Sequence, residues 1–423
     1  MIARYALPEM AELFSDQARY ATWTEVEVLA SAAQTRLGLV PEAAYAGIRR
    51  APVPDAARVA ELERDRDHEI LSFLAAFCET MPADTARWVH LGMTSYDLVD
   101  TALGHTLARA CDLLIDTAVR LRATLVERAD EHWDTVCIGR THGMHAEPTT
   151  FGHKLAGFAF AVDRSIRRLR DAREQVAVGT ISGSVGTYAL IDPAVEEHVC
   201  GALGLGVEQA PSQVVARDRH AQLVQAIATL GACVEQIAVE VRLLSRTEVR
   251  EVEEPRGAGY QGSSAMPHKR NPTTGERLSG LARLLRGHAG AMLENVALWH
   301  ERDLSHSSVE RVVLPDAFTV AHYQVTAATK LIRDMAVFPE RMRAAIDHTG
   351  GLAYSSAVLA EQLRSGGDRE RIYRTIQSAA NGADFRRELD AAGFDTGSLT
   401  PQRFLSHHDV IHKRLDQLRE QDH

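Results

Sequence analysis

Between residues 218 and 249, apolar side chains recur at Leu223, Ile227, Leu230, Val234, Ile237, Val241 and Leu244. The steps alternate between four and three, the spacing of a heptad seam, and predict one helix roughly 36 Å long or more. A second seam runs through Leu103, Leu107, Ala110, Leu114, Thr117, Leu121 and Leu125, with Ser95 or Asp97 as its N-cap. A third, through Phe318, Ala321, Val325, Ala328, Ile332 and Met335, is expected to begin after Pro315, and shorter versions follow His153 and Pro272. Five such helices cannot each bury a stripe alone, so they imply a bundle. The same seams could also meet other subunits, which makes an oligomer the expectation. Before about residue 93 and after about residue 340 the periodic stretches are shorter, and 382–402 is loop-rich. The expected fold is therefore all-α, in three parts: an N-terminal helical domain over 1–93, a central long-helix bundle over 94–340, and a C-terminal helical domain over 341–423.

Composition narrows the class. The chain has 423 residues, 45% hydrophobic and 25% charged, which is ordinary for a globular protein with a sizeable core. The net charge of −10 argues against nucleic acid or an anionic membrane as the main partner. It leaves room for an anionic small molecule, because a pocket can be basic on an acidic protein. The five cysteines are scattered, with no Cys-x-x-Cys or Cys/His zinc spacing, and read as reduced core thiols of a cytoplasmic protein. The start, Met-Ile-Ala-Arg-Tyr, lacks the apolar stretch of a signal peptide, and no run of 18 apolar residues suggests a membrane span. The glycine-punctuated loop 179–186 has neither the dinucleotide spacing nor a βαβ setting, so no nucleotide cofactor is expected.

Four segments carry the chemistry. Residues 262–272 read Gly-Ser-Ser-Ala-Met-Pro-His-Lys-Arg-Asn-Pro. Gly262 lets such a loop open and close, and can carry a serine onto a substrate. Lys269 and Asn271 can then hold a carboxylate whose charge grows as a neighbouring proton leaves. A polar turn before a helix is the plain alternative. Residues 139–152, Gly-Arg-Thr-His-Gly-Met-His-Ala-Glu-Pro-Thr-Thr-Phe-Gly, put His142 and His145 in what reads as a turn entering a helix. Imidazole suits proton transfer near neutral pH. The alternatives are a structural histidine or a metal pair, for which no third ligand is evident. In 88–101, Thr94 and Ser95 stand where the first long helix should start, able to bind a carboxylate, to cap the helix, or both. In 299–311, Arg302, Ser307 and Arg311 could converge on a phosphate, or form a salt-bridged surface loop. Arg4 with Tyr5, and the run Asp67-His68-Glu69, read by themselves as solvated or salt-bridged faces.

Taken together these strings resemble the adenylosuccinate lyases, a family of the fumarase/aspartase superfamily, from residue 1 to about 350. The carriers are Met-Ile-x-Arg-Tyr, Thr-His-Gly-x-His-Ala-Glu-Pro-Thr-Thr-Phe-Gly and Trp-His-Glu-Arg-Asp-x-Ser-His-Ser-Ser; the Gly-Ser-Ser-x-Met-Pro string marks only the superfamily. The resemblance implies elimination of fumarate from adenylosuccinate and from succinylaminoimidazole carboxamide ribotide (SAICAR), with no cofactor and no metal. It implies Ser263 as general base, helped by Lys269 and by the N-terminus of the following helix, and His142 as general acid, oriented by Glu276. It further implies His68 at the phosphate or substrate, and His90 as another active-site histidine. Thr94, Ser95, Lys269 and Asn271 would hold the carboxylates and Gln213 the succinyl group. Arg4, Tyr5, Arg302, Ser307 and Arg311 would hold the nucleotide monophosphate. Asp67 and Glu69 flank His68 where these lyases often carry a basic or polar residue before the histidine. The family's sites are shared by three subunits of a homotetramer. The competing readings are a carboxymuconate cycloisomerase, which shares the serine loop but lacks a histidine at position 142, and a non-catalytic helical scaffold. Argininosuccinate lyase fits less well, since it has Gln where this chain has His268.

Overall fold

The computed structural model describes residues 2–257, 259, 262–397 and 399–419. The fold is all-α. The helices used below are Asp16–Arg36 (α1), Glu69–Cys78 (α2), Ser95–Glu131 (α3), Phe151–Val176 (α4), Arg217–Leu244 (α5), Thr273–Glu294 (α6) and Ser305–Asp334 (α7). All seven seam positions predicted in α5 are buried, and each such aliphatic side chain contributes roughly 1.5–3 kcal/mol. Strands are short among the described residues. Val136–Thr141 (β1) and Met144–Thr150 (β2) form an antiparallel hairpin, and two further pairings involve two-residue strands.

Spatial contacts gather the chain into two compact units. One comprises residues up to 118, 165–232 and 281–325; the other comprises 119–164, 233–280 and 326 onward. Each of the five long helices contributes residues to both. The first unit has a core of Tyr20, Trp23, Phe73 and Leu98 with aliphatic partners, in which Trp23 meets Phe73 edge-on at 5.2 Å. The second unit's core joins Ile138 of the hairpin to Ile346, Tyr354, Ile372 and Leu389 of the C-terminal helices.

Two boundary expectations are corrected. α7 does not start after Pro315 but ten residues earlier, with Pro315 inside it. Proline removes one backbone hydrogen bond and disfavours the helix interior. Here Val313, Leu314, Ala317 and Phe318 are buried on both sides of it, and that packing outweighs the local penalty. The histidine segment is also not simply a turn into α4. It is the β1–β2 hairpin, and the helix follows it.

Candidate active site

Thr141 pairs with Met144 across the hairpin, leaving His142 and Gly143 as a two-residue turn with φ of 57° and 78°. Positive φ at both positions is the type I′ geometry, whose twist matches the flanking strands; glycine adopts it freely and histidine at a cost. The fold thus holds the His142 imidazole at an exposed apex, and among the described residues its side chain has no partner within the chain. The strand beneath is anchored by Arg140, whose guanidinium forks onto the buried Glu251 carboxylate at 2.5 and 3.1 Å. His145 behaves differently. Burial, the Arg140 charge and the nearby His348 together hold its pKa below the usual imidazole value, and its ring lies 6.1 Å from that of His348. Among the described residues no group of three His, Cys, Asp or Glu side chains is placed to hold a metal ion.

The serine loop lies in the same unit. Gly262 has φ of 72°, and a Cβ there would sit 2.5 Å from the Pro267 carbonyl, so only glycine permits this closure. Ser263 Oγ accepts the Met266 N–H at 3.3 Å, and the Met266 carbonyl accepts the Lys269 N–H at 2.9 Å. The loop is thereby a compact turn that leaves the Lys269 side chain exposed, with Asn271 just before α6 and Glu276 exposed in its first turn. One expectation is corrected here. The N-terminal amides of α6 are already bound: Thr274 and Gly275 donate to the Glu254 carboxylate at 2.9 and 2.7 Å. That helix end is occupied by a buried acid and is not open to a serine oxyanion. Of the two supports the resemblance implied for Ser263, Lys269 is the one that stays a candidate.

The remaining candidates lie in the other unit. α3 begins at Ser95, and Asp97 reaches back to the Thr94 N–H at 2.7 Å, as the acidic partner of a capping box does. Asp97 is not the cap itself. Its buried carboxylate also accepts the N–H groups of Ser182 (2.9 Å) and Gly183 (3.2 Å), tying the glycine-rich loop to the start of α3. Burial raises the Asp97 pKa despite those backbone hydrogen bonds. Arg302 Nη1 donates to Gln213 Oε1 at 2.9 Å, which brings two of the candidates together. Ser307 sits two residues into α7, and Arg311 pairs with Glu69 at 2.6 Å. Glu69 also receives Arg19 at 2.5 Å, so the acidic residue beside His68 neutralises two arginines. Arg19, Glu69, Ser307 and Arg311 line a cavity of about 330 Å³ with Trp23, Tyr96 and Leu103. His68 caps α2, its Nδ1 accepting the Leu71 N–H at 3.3 Å, and Asp67 precedes it in the left-handed region at φ 49°. Arg4 is exposed, while the Tyr5 ring packs 5.2 Å from that of Tyr323.

His90 sits at φ 60° with Glu27 holding both its backbone N–H (2.9 Å) and its Nδ1 (2.6 Å). Burial alone would push its pKa down, but the hydrogen bond and charge of Glu27, with Asp97 adding to them, carry it above the usual value. A group raised on folding stabilises the fold at low pH and loses that contribution as pH rises through the folded value. Glu27→Gln is therefore expected to cost about 1–3 kcal/mol on the acid side of neutrality. The deficit should shrink in alkaline solution, as thermal melts across pH would show. Glu27 was missed in the sequence, although it was legible: it lies on the same face of α1 as buried Tyr20, Trp23 and Ala30, a carboxylate on an apolar stripe. Glu254, Asp100, Arg217 and Glu310 were missed as well.

A long-helix all-α fold that presents a serine on a glycine-hinged loop and a histidine on a hairpin apex defines a lyase of the fumarase/aspartase class. The family model described as Lyase matches residues 4–287. The chain is 44% identical to an adenylosuccinate lyase of Synechocystis sp. over 98% of its length and all of that protein's. It is 42% identical to the adenylosuccinate lyase of Bacillus subtilis, over 98% of this chain and 99% of that one. Among solved structures, a 3-carboxy-cis,cis-muconate lactonizing enzyme from Pseudomonas putida superposes with a TM-score of 0.90 at 29% identity, over 99% and 98% of the two chains. A fumarate lyase from Mesorhizobium sp. does so with a TM-score of 0.84 at 29% identity, over 92% and 91%. The chain belongs to the adenylosuccinate lyase family.

Proposed function

We propose that this protein removes fumarate from adenylosuccinate to give AMP, and from SAICAR to give the aminoimidazole carboxamide ribotide, in purine nucleotide synthesis. In this reading Ser263 takes the Cβ proton of the succinyl group and the electron pair passes into the adjacent carboxylate. Lys269 and Asn271 hold that carboxylate as its charge grows, and Thr94 and Ser95 hold the other. The C–N bond then breaks and His142 protonates the departing nitrogen. Glu276 orients His142, and Asp67, His68, Glu69 and His90 contact the substrate. Gln213 holds the succinyl group; Arg4, Tyr5, Arg302, Ser307 and Arg311 hold the phosphorylated end. The observation that carries this reading is the His142 imidazole at the tip of a two-residue turn, exposed and, among the described residues, without a partner of its own, as a group must be if it is to meet a substrate. The identity to adenylosuccinate lyases also exceeds that to the muconate enzyme, although the latter superposes closely. That favours the lyase reading over the cycloisomerase.

The same proposal includes a homotetramer with each site shared by three subunits, a cytoplasmic location, and the three-part division at residues 93 and 340. Among the described residues no helix is long and apolar enough to cross a membrane. The test is ultraviolet absorbance with adenylosuccinate, followed by chromatography of the products. AMP and fumarate in equal amounts support the reading; conversion of carboxymuconate instead would replace it. Mixing a His142→Gln variant with a Ser263→Ala variant under subunit exchange tests the shared site. Activity should reappear in the mixture, and two variants that stay dead together would remove the sharing.

A further inference from the structure

Tyr96, the second residue of α3, is 5% exposed and lies among residues the lyase reading uses without being one of them. The Arg302 guanidinium carbon stands 3.6 Å from the centre of the Tyr96 ring, the distance of a stacked cation. Gln213 fixes the edge of that guanidinium through one of its donors. Gln213 is itself held by Nε2 donating to the Ser184 carbonyl at 2.9 Å and by its backbone N–H to the Glu301 carbonyl at 3.4 Å. The ring cannot swing away, because His306 meets it edge-on at 5.4 Å and the buried Arg217 guanidinium lies 5.8 Å from its centre. Arg217 is in turn fixed by two bonds to Asp100, at 2.6 and 2.9 Å, and one to Glu310 at 3.0 Å.

We propose that Tyr96 is a positioning residue for the anion-binding end of the site, its ring setting the plane of Arg302. The proposal rests on the lyase reading, in which Arg302 meets the phosphorylated end of the substrate. A free arginine side chain samples many rotamers; one pressed flat on a buried ring presents its remaining N–H donors already aimed. That end of the substrate does not react, so the benefit is the same in the ground and transition states. It should appear in KM and leave kcat nearly unchanged.

The test is steady-state turnover of adenylosuccinate by the full-length wild type, Tyr96→Phe, Tyr96→Leu, Arg302→Ala and the Tyr96→Leu/Arg302→Ala double variant. Removing the ring should raise KM by about tenfold, the scale of a desolvated cation–π contact, with kcat within threefold. Tyr96→Phe keeps the ring and should stay within threefold of wild type in KM. The double variant should be no worse than Arg302→Ala alone. An unchanged KM in Tyr96→Leu, or losses that multiply in the double variant, would overturn the proposal. If Tyr96→Leu does not fold, Arg302→Lys serves in its place. It keeps the charge but loses the planar stack, so KM should rise nearly as far as in Arg302→Ala, and a wild-type KM would overturn the proposal. A wild type that does not turn over adenylosuccinate defeats the lyase reading; a wild type that does, with an indifferent Tyr96, defeats only this proposal.

Discussion

Ser263→Ala is expected to reduce kcat for adenylosuccinate by about a thousandfold, within the range found when a positioned acid–base group is removed. KM should change little, since a hydroxyl that acts on the Cβ proton contributes mainly in the transition state. The fold should survive. Ser263 is half-buried in a loop, and among the described residues the one bond its Oγ accepts, from the Met266 N–H, is long at 3.3 Å. Its loss costs at most about 1 kcal/mol locally. The thermal midpoint should therefore match wild type, which separates lost chemistry from lost structure. Turnover within tenfold of wild type would keep the enzyme and take the base role from Ser263. A serine hydroxyl is a weak acid, so the role needs a cation beside it. With the α6 amides bound by Glu254, Lys269 is the proposed source, and Lys269→Met should reproduce much of the kcat loss.

The largest stability effect is expected at Arg217. Its guanidinium is fully buried and bridges Asp100 of α3 to Glu310 of α7, with the His306 ring 3.3 Å away. Arg217→Ala would leave two buried carboxylates without their counter-charge. Removing one partner of such a pair costs about 3–5 kcal/mol, much more than the pair itself contributes. Urea unfolding at neutral pH should show the loss directly; a shift below about 1 kcal/mol would mean the cluster relaxes around the gap. The pH dependence carries a signature as well. Burial pushes the Glu310 carboxyl up, but the His306 hydrogen bond and the Arg217 charge outweigh it and bring the pKa down to about 2. A depressed carboxyl stabilises the fold above its unfolded value, and that contribution is lost as pH falls toward about 2. Without Arg217 the Glu310 value should rise. The acid erosion expected of wild type between about pH 4.5 and 2 should then flatten in the variant.

The long helices were legible because their signal is local. The seams in α3, α5 and α7 are periodic over contiguous residues, and burying those stripes is what the bundle does with them. The end of α7 that was misplaced is where the local rule for proline lost to packing on both sides of Pro315. The histidine hairpin was not legible because Arg-Thr-His-Gly-Met-His carries no alternation of apolar and polar residues, and His-Gly is not the usual pair for a two-residue turn. Only the pairing of Arg140 with His145 and of Thr141 with Met144 shows the turn for what it is.

For the site, the sequence by itself determined the kinds of chemistry. A glycine-hinged serine beside lysine and asparagine, a histidine flanked by glycine, and a run of arginine and serine are readable because each sits in one short string. It could not determine partners. Asp100 and Arg217 are 117 residues apart in the chain, Glu27 and His90 are 63 apart, and Arg302 and Gln213 are 89 apart. Which buried carboxylate meets which cation follows from how the helices pack, because burying a charge is tolerable only where the fold supplies its counter-charge at bonding distance. Tertiary structure alone therefore decided that Glu254 closes the N-terminus of α6, that Glu69 neutralises Arg19 and Arg311, and that Arg302 is held by Gln213 and the ring of Tyr96.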